Sequence, residues 1–255
     1  MTDTVEYSRN KAGYGKITIN RPEKRNAISQ EMTSAFKDAL NQAKQDSINF
    51  LIITGAGERM FCAGGDLKHL HGSLSPDEAF QSLYPMKEVL YDIVSFPVPT
   101  LCLLNGDALG GGCEIATACD IRIAREGTKF GFVQSNIGIL PGWGGGSLLY
   151  EKVHTSFALQ WLMEGKVYEA PFLESKGWLH RIVSEQEWDD QEKILEPYTS
   201  KSLHQMQILK NQYKKKLTTI GFSALMDEDV RNCASLWDSP AHKKAVEDFL
   251  SRSKR

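Results

Sequence analysis

The tightest constraint on this chain is the stretch Leu104-Asn105-Gly106-Asp107-Ala108-Leu109-Gly110-Gly111-Gly112-Cys113-Glu114, where an apolar strand runs through three glycines into a helix that opens with a carboxylate. Residues without side chains at a strand-to-helix turn let another group approach the backbone. The first turn of a helix also presents unpaired N–H groups that favour negative charge. The stretch therefore reads as an oxyanion site with an acid/base beside it. Close strand–helix packing, which needs small residues for steric reasons alone, is the competing explanation.

At 255 residues the chain is long enough for one full domain or a domain with a smaller appendage. A net charge of −2 gives no general electrostatic case for nucleic acid or an anionic membrane as partner. The local exception, Lys210 with Lys214-Lys215-Lys216, is expected to be a solvated helix face. No apolar run reaches the length of a membrane span, and Met1 to Glu6 is polar and acidic, so a cytoplasmic address is expected. Cys62, Cys102, Cys113, Cys119 and Cys233 are odd in number and never form C-x-x-C. They are expected as buried thiols, with no disulfide framework and no metal site. His69 and His71 are expected to be surface or packing residues. No G-x-S-x-G elbow supports a serine hydrolase.

Alternating residues at Val5–Ser8 and Gly15–Asn20 predict an antiparallel hairpin. Ser29 is placed to cap a helix whose apolar positions are Met32, Ala35, Phe36, Ala39, Leu40 and Ala43. The run Phe50-Leu51-Ile52-Ile53-Thr54 predicts a strand buried on both faces. Ala63-Gly64-Gly65 is a second patch of nearly bare backbone, and Asp66 could cap a helix through Leu67 and Leu70. Pro76 to Ser95 reads as a helix that Pro85 should kink or divide. Two more strands are expected at residues 120–124 and 129–132. Gln134 to Gly146 is too rich in glycine for a regular element and reads as a functional loop before a helix from Ser147. The remainder is mostly helical, with no clear internal repeat. An α/β body to residue 195 and a helical segment over 196–255 follow.

Several motifs in one order carry a resemblance: Asn20-Arg21-Pro22 with Asn26-Ala27, Phe61 to Leu67, Asn105 to Glu114, Cys119 to Ala124, and Leu140 to Gly145. Over essentially its whole length the chain resembles the crotonase, or enoyl-CoA hydratase/isomerase, superfamily. The resemblance implies a crotonase-like ββα spiral with a C-terminal helical trimerisation region, forming a homotrimer or a dimer of trimers. It also implies an acyl-CoA thioester as substrate, with coenzyme A part of that substrate and no separate cofactor. By motif position the two oxyanion-hole amides fall on Gly65 and Gly111. Coenzyme A contacts fall on Arg25 and Ala27, on Ala63, Asp66, Leu67 and Lys68, and on Phe249 and Arg252. The family's Glu-Gly ahead of the last helix is replaced here by His242-Lys243.

The departure that matters concerns the carboxylates. Hydratases of this family use two glutamates around a water; Glu114 matches the first, and the second falls on Gln134. An amide orients water or a substrate oxygen but exchanges no proton near neutral pH, where a positioned acid/base contributes ~10²–10⁴ in rate. The resemblance thus implies an acyl-CoA enzyme of hydratase/isomerase type working through Glu114. Local similarity between residues 132 and 145 and the ethylmalonyl-/methylmalonyl-CoA decarboxylase branch offers a second reading, with Trp143 closing the acyl end or serving as a core aromatic. A catalytically weak acyl-CoA-binding or scaffold protein is the third.

Overall fold

The computed structural model describes residues 4–66, 74–218 and 221–252. In chain order its strands are β1 (Val5–Arg9), β2 (Gly15–Ile19), β3 (Leu51–Gly55), β4 (Met60–Cys62), β5 (Thr100–Leu104), β6 (Asp107–Leu109), β7 (Ile121–Arg125), β8 (Lys129–Gly131), β9 (Val167–Glu169) and β10 (Arg181–Val183). The helices are α1 (Gln30–Gln45), α2 (Pro76–Val94), α3 (Gly111–Ala118), α4 (Gly145–Lys152), α5 (Thr155–Glu164), α6 (Ala170–Ser175), α7 (Glu185–Trp188), α8 (Gln191–Thr199), α9 (Leu203–Thr218), α10 (Phe222–Ser235) and α11 (Pro240–Arg252).

The expected hairpin forms, with Tyr7 opposite Ile17. It opens a six-stranded sheet in the order β1-β2-β3-β5-β7-β10, parallel from β2 onward. Alternate residues of these strands enter two cores. Ile17, Ile53, Cys102 and Leu104 join the main core with Phe36 and Leu40 of α1 and Leu90 and Ile93 of α2. Phe50, Ile52, Leu101, Leu103 and Ile123 pack on the other side with Ile194 and Leu195 of α8 and Met206 of α9. Burial on both faces is the reason these strands read as unbroken apolar runs. All five cysteines are buried and unbridged.

A smaller sheet, β4-β6-β8-β9, runs alongside and is parallel except for its last pair. Each turn of the chain contributes one strand to each sheet and then a helix: β5, β6 and α3 make one turn, and β7, β8 and α4 another. This is the expected ββα spiral. Its repeat escapes a sequence scan because strands β4, β6 and β8 are three residues each.

Three expectations need correction. Helix α2 is not divided at Pro85: it runs on through the proline, closed at its start by reciprocal Ser75–Glu78 capping. The side chains of its buried face (Leu83, Met86, Val89, Leu90, Ile93), at roughly 1.5–3 kcal/mol each, together outweigh the ~3 kcal/mol an internal proline costs. The glycine-rich loop is partly ordered, with a 3₁₀ turn at Gln134–Ile137, and α4 begins at Gly145 rather than Ser147. Lys210 is not on a solvated face. It is 2% exposed, and its Nζ donates to both oxygens of Asp120, at 2.8 and 2.6 Å.

Asp120 also accepts from Thr100 N–H (2.8 Å) and Thr100 Oγ1, so the Lys210 ammonium ties α9 to the start of β5 and β7. Asp120→Ala leaves that ammonium buried without a counter-charge. Urea denaturation should show a loss of about 3 kcal/mol or more, part of which returns in the double variant Asp120→Ala/Lys210→Met. Equal stabilities for the single and double variants would contradict this account.

Candidate active site

Parallel strands place their carboxyl ends on one side, and the three parallel strands of the small sheet deliver the three motif segments there. β4 leads into Ala63–Asp66, β6 into Gly110–Glu114, and β8 into Gln134. Gly64 at φ +92° and Gly110 at φ +53° adopt backbone that side chains resist. A Cβ built on Gly64 would lie 3.0 Å from Gly111 N, so the two bare strips abut. Ile28 N–H donates to Gly64 O (2.8 Å) and Asp66 N–H to Ile28 O (2.8 Å), which turns the intervening Gly65 N–H away from this pairing. Among the described residues neither Gly65 N–H nor Gly111 N–H, the latter in the first turn of α3, has a protein acceptor.

Glu114 is 2% exposed and bonded at both oxygens. Oε2 accepts from the backbone N–H groups of Trp143 and Gly145, both at 2.9 Å, and Oε1 accepts from Gln134 Nε2 at 3.1 Å. Burial pushes its carboxyl up to about 7, against the two backbone donors, with Asp229 reinforcing the rise. A group balanced there both gives and takes a proton at neutral pH. Asp229, on α10, accepts from Ser147 N–H (2.7 Å) and is pushed by burial up to about 6. Two carboxylates thus hold the first turn of α4, the end of a helix that favours negative charge.

Packing and chemistry share the glycines. A Cβ on Gly112 would overlap the Cys62 carbonyl, and one on Gly111 the Trp143 ring. A Cβ on Gly145 would overlap the Glu114 stem. Trp143 is 5% exposed and belongs to the main core, as the core-aromatic reading expects, and its ring lies against Gly111. The opposite end of α3 is closed by basic side chains. Arg122 Nη1 donates to Ala116 O (3.3 Å) and Cys119 O (2.8 Å), and Lys152 Nζ to Cys119 O (3.2 Å).

The structure brings Arg25 and Ala27 beside Ala63–Asp66, with Ala63 N–H donating to Arg25 O at 3.1 Å. Arg25 is exposed and Ala27 half-buried. Leu67, Lys68, His69 and His71 lie outside the described residues. Phe249 stands 44% exposed on α11 and joins the Glu114 cluster by no hydrogen bond or ring contact among the described residues; Arg252 ends that helix. Sequence reasoning missed Arg21, whose Nη1 pairs with Asp66 at 2.7 Å and fixes the strip holding Gly65. It also missed Gly145 and Asp229. Gly145 was legible only as part of a glycine run, and Asp229 is brought to Ser147 across 82 positions.

Burial favours the neutral carboxyl, so between about pH 4.5 and 7 the folded chain holds a proton at Glu114 that the unfolded chain has released. The stability that this group contributes therefore falls as pH rises through that window. Glu114→Gln should flatten that slope in denaturation experiments. Carboxyl infrared titration should place the wild-type midpoint near 7 and move it down in Asp229→Asn, which removes a neighbouring charge. An unchanged or higher midpoint would contradict the assigned cause.

Residues 9–255 match the enoyl-CoA hydratase/isomerase family. Among curated proteins, crotonyl-CoA hydratase of Syntrophomonas wolfei is 36% identical over 172 residues, 67% of this chain and 66% of that protein. Ethylmalonyl-CoA decarboxylase of Xenopus laevis is 34% identical over 161 residues, 62% of this chain and 53% of that one. The matched stretch thus spans about half to two thirds of the length of these relatives. An enoyl-CoA hydratase/isomerase structure from Xanthobacter autotrophicus Py2 shares the fold at a TM-score of 0.88 and 24% identity, covering 98% of this chain and 94% of that one. Among the described residues no helix is long and apolar enough to cross a membrane, and no cluster of three metal-ligating side chains forms. By the match over residues 9–255 and a ββα spiral shared almost end to end, the chain belongs to the enoyl-CoA hydratase/isomerase family of the crotonase superfamily.

Proposed function

We propose that this protein acts on an acyl-CoA thioester through an enolate, with the N–H groups of Gly65 and Gly111 holding the thioester oxygen and Glu114 as the acid/base. The observation that carries this reading is the geometry of Glu114: a buried carboxyl near about 7, one residue triplet beyond an unpaired helix N–H. Donors aimed at an oxyanion need no reorganisation during the reaction, and loss of one typically costs ~10²–10³ in rate. Coenzyme A would run along Arg25, Ala27, Ala63, Asp66, Leu67 and Lys68, with Phe249 and Arg252 contributing from the last helix. No cofactor is needed beyond the coenzyme A that the substrate brings, and a trimer or a dimer of trimers is the expected assembly.

One observation favours decarboxylation of a methylmalonyl- or ethylmalonyl-type thioester within this class. Glu114 is bonded to an amide, Gln134, where two-carboxylate hydration requires a second proton-exchanging group. The other carboxylate nearby, Asp229, is engaged at Ser147 N–H. Loss of CO₂ generates the enolate directly, so one acid is sufficient. The electron pair of the breaking C–C bond enters the thioester, and a proton from Glu114 then forms the new C–H bond.

Purified protein should be assayed in parallel with crotonyl-CoA and with methylmalonyl- and ethylmalonyl-CoA. Decarboxylation should predominate and its kcat should fall as pH rises above about 7, because the acid form of Glu114 is the reactive one. Glu114→Gln should lower kcat by ~10²–10⁴. Rapid hydration of crotonyl-CoA by the wild type would overturn the decarboxylase reading and leave the enolate chemistry standing. Tight thioester binding with no turnover of any of these would favour a binding or scaffold role.

A further inference from the structure

The site contains one atom that neither the fold nor the enolate chemistry has used. Gln134 is 7% exposed, and while its Nε2 donates to Glu114, its Oε1 is buried with no protein hydrogen-bond partner among the described residues. Leaving a buried acceptor without a donor is costly, so a native structure that keeps one invites an explanation. The amide lies against the backbone of Gly110, since a Cβ built there would be 3.7 Å from both Cδ and Nε2. Gln134 therefore borders the helix end that carries the free Gly111 N–H.

The two oxygens of Glu114 are not equivalent. Oε2 receives two backbone donors and has little capacity left for a proton, so the acid form carries its proton on Oε1. Oε1 is also the oxygen that faces Gln134 Nε2, a donor that cannot accept. Turning the amide by 180° about its terminal torsion, which is soft and roughly two-fold, puts Gln134 Oε1 against that proton. The two ends of an amide have nearly the same size, so the turn needs no extra space. It leaves Nε2 as a buried donor where the unpartnered Oε1 had been.

We propose that Gln134 is a two-state amide that follows the negative charge: it donates to Glu114 when Glu114 is ionised, and to the carboxylate of an acidic acyl group when Glu114 is protonated. This rests on the malonyl-type reading given above. During decarboxylation the substrate carboxylate leaves as CO₂, the enolate takes the proton from Glu114 Oε1 at its α-carbon, and one negative charge ends on Glu114. The net reaction consumes one proton from solvent, which restores the acid form. Nε2 is needed first by the substrate and then by Glu114, and a single amide serves both. A glutamate at this position would repel both anions. Burial holds Glu114 near about 7, so both amide states fall within the neutral range. Among the described residues, the titratable groups bearing on Glu114 are Asp229 and Cys233 of α10 and Cys113 of its own helix. Burial holds both thiols neutral.

The test uses two unreactive CoA ligands: an analogue with a sulfonate in place of the malonyl carboxylate, and butyryl-CoA as the neutral reference. Calorimetry at pH 6 and pH 8 gives the ratio of their affinities, which cancels the titration of coenzyme A itself. In the wild type the sulfonate should lose about 10-fold relative to butyryl-CoA between pH 6 and pH 8, as Glu114 ionises and recaptures Nε2. In Gln134→Leu the ratio at pH 6 should fall about 10-fold below the wild-type value. Repulsion by ionised Glu114 contributes to the wild-type loss whether or not the amide turns, and it is for the variant that an amide fixed on Glu114 makes the opposite prediction. Removing its donor would keep Glu114 protonated to higher pH, and the variant would bind the sulfonate as well as the wild type or better. The pH comparison in the wild type stands even where the variant does not fold. A protein that decarboxylates a malonyl-type thioester but shows a pH-independent ratio overturns the two-state amide alone. One that binds butyryl-CoA and rejects the sulfonate at both pH values overturns it together with the decarboxylase reading.

Discussion

A single buried carboxylate joins the halves of this site. Glu114 sits one turn into α3, and its Oε2 takes the N–H groups of Trp143 and Gly145 at the start of α4. The helix that presents Gly111 N–H and the helix that begins at Gly145 are thus held through one carboxylate. Positioning and reactivity are coupled: the donors that fix the carboxylate favour its ionised form, while burial opposes ionisation and prevails. The balance leaves the group near neutrality.

The glycines show why steric and chemical readings of such motifs are not alternatives. Gly112 is small because Cys62 O lies against it, Gly111 because the Trp143 ring covers it, and Gly145 because the Glu114 stem does. Close packing brings β4, α3 and α4 near enough for their backbones to define one site. That the N–H groups of Gly65 and Gly111 have no acceptor among the described residues follows from the same arrangement.

Much of this was legible in the sequence. The hairpin, the Ser29 cap of α1, the doubly buried strands and the strand–glycine–helix turn follow from local rules: period-two alternation, a hydroxyl before an amphipathic run, and bare backbone ahead of a carboxylate. Lys210 was misjudged because a lysine among other lysines looks solvated until its partner, 90 positions away, is placed beside it. A division at Pro85 does not occur because the burial that carries α2 past it comes from the core around the helix.

The sequence alone determined which groups are available: two glycine patches, one glutamate and, at Gln134, an amide that exchanges no proton. Those are properties of residue type and local order, and they carried the family resemblance. Only the tertiary structure decided how the groups act on one another. It placed Gln134 Nε2 on Glu114, left Gln134 Oε1 without a protein partner among the described residues, brought Asp229 near from α10, and enclosed the carboxyl so that its proton is held near neutral pH. Desolvation and Coulomb terms depend on distance in space, and no local pattern along the chain encodes the approach of residues 20 to 115 positions apart.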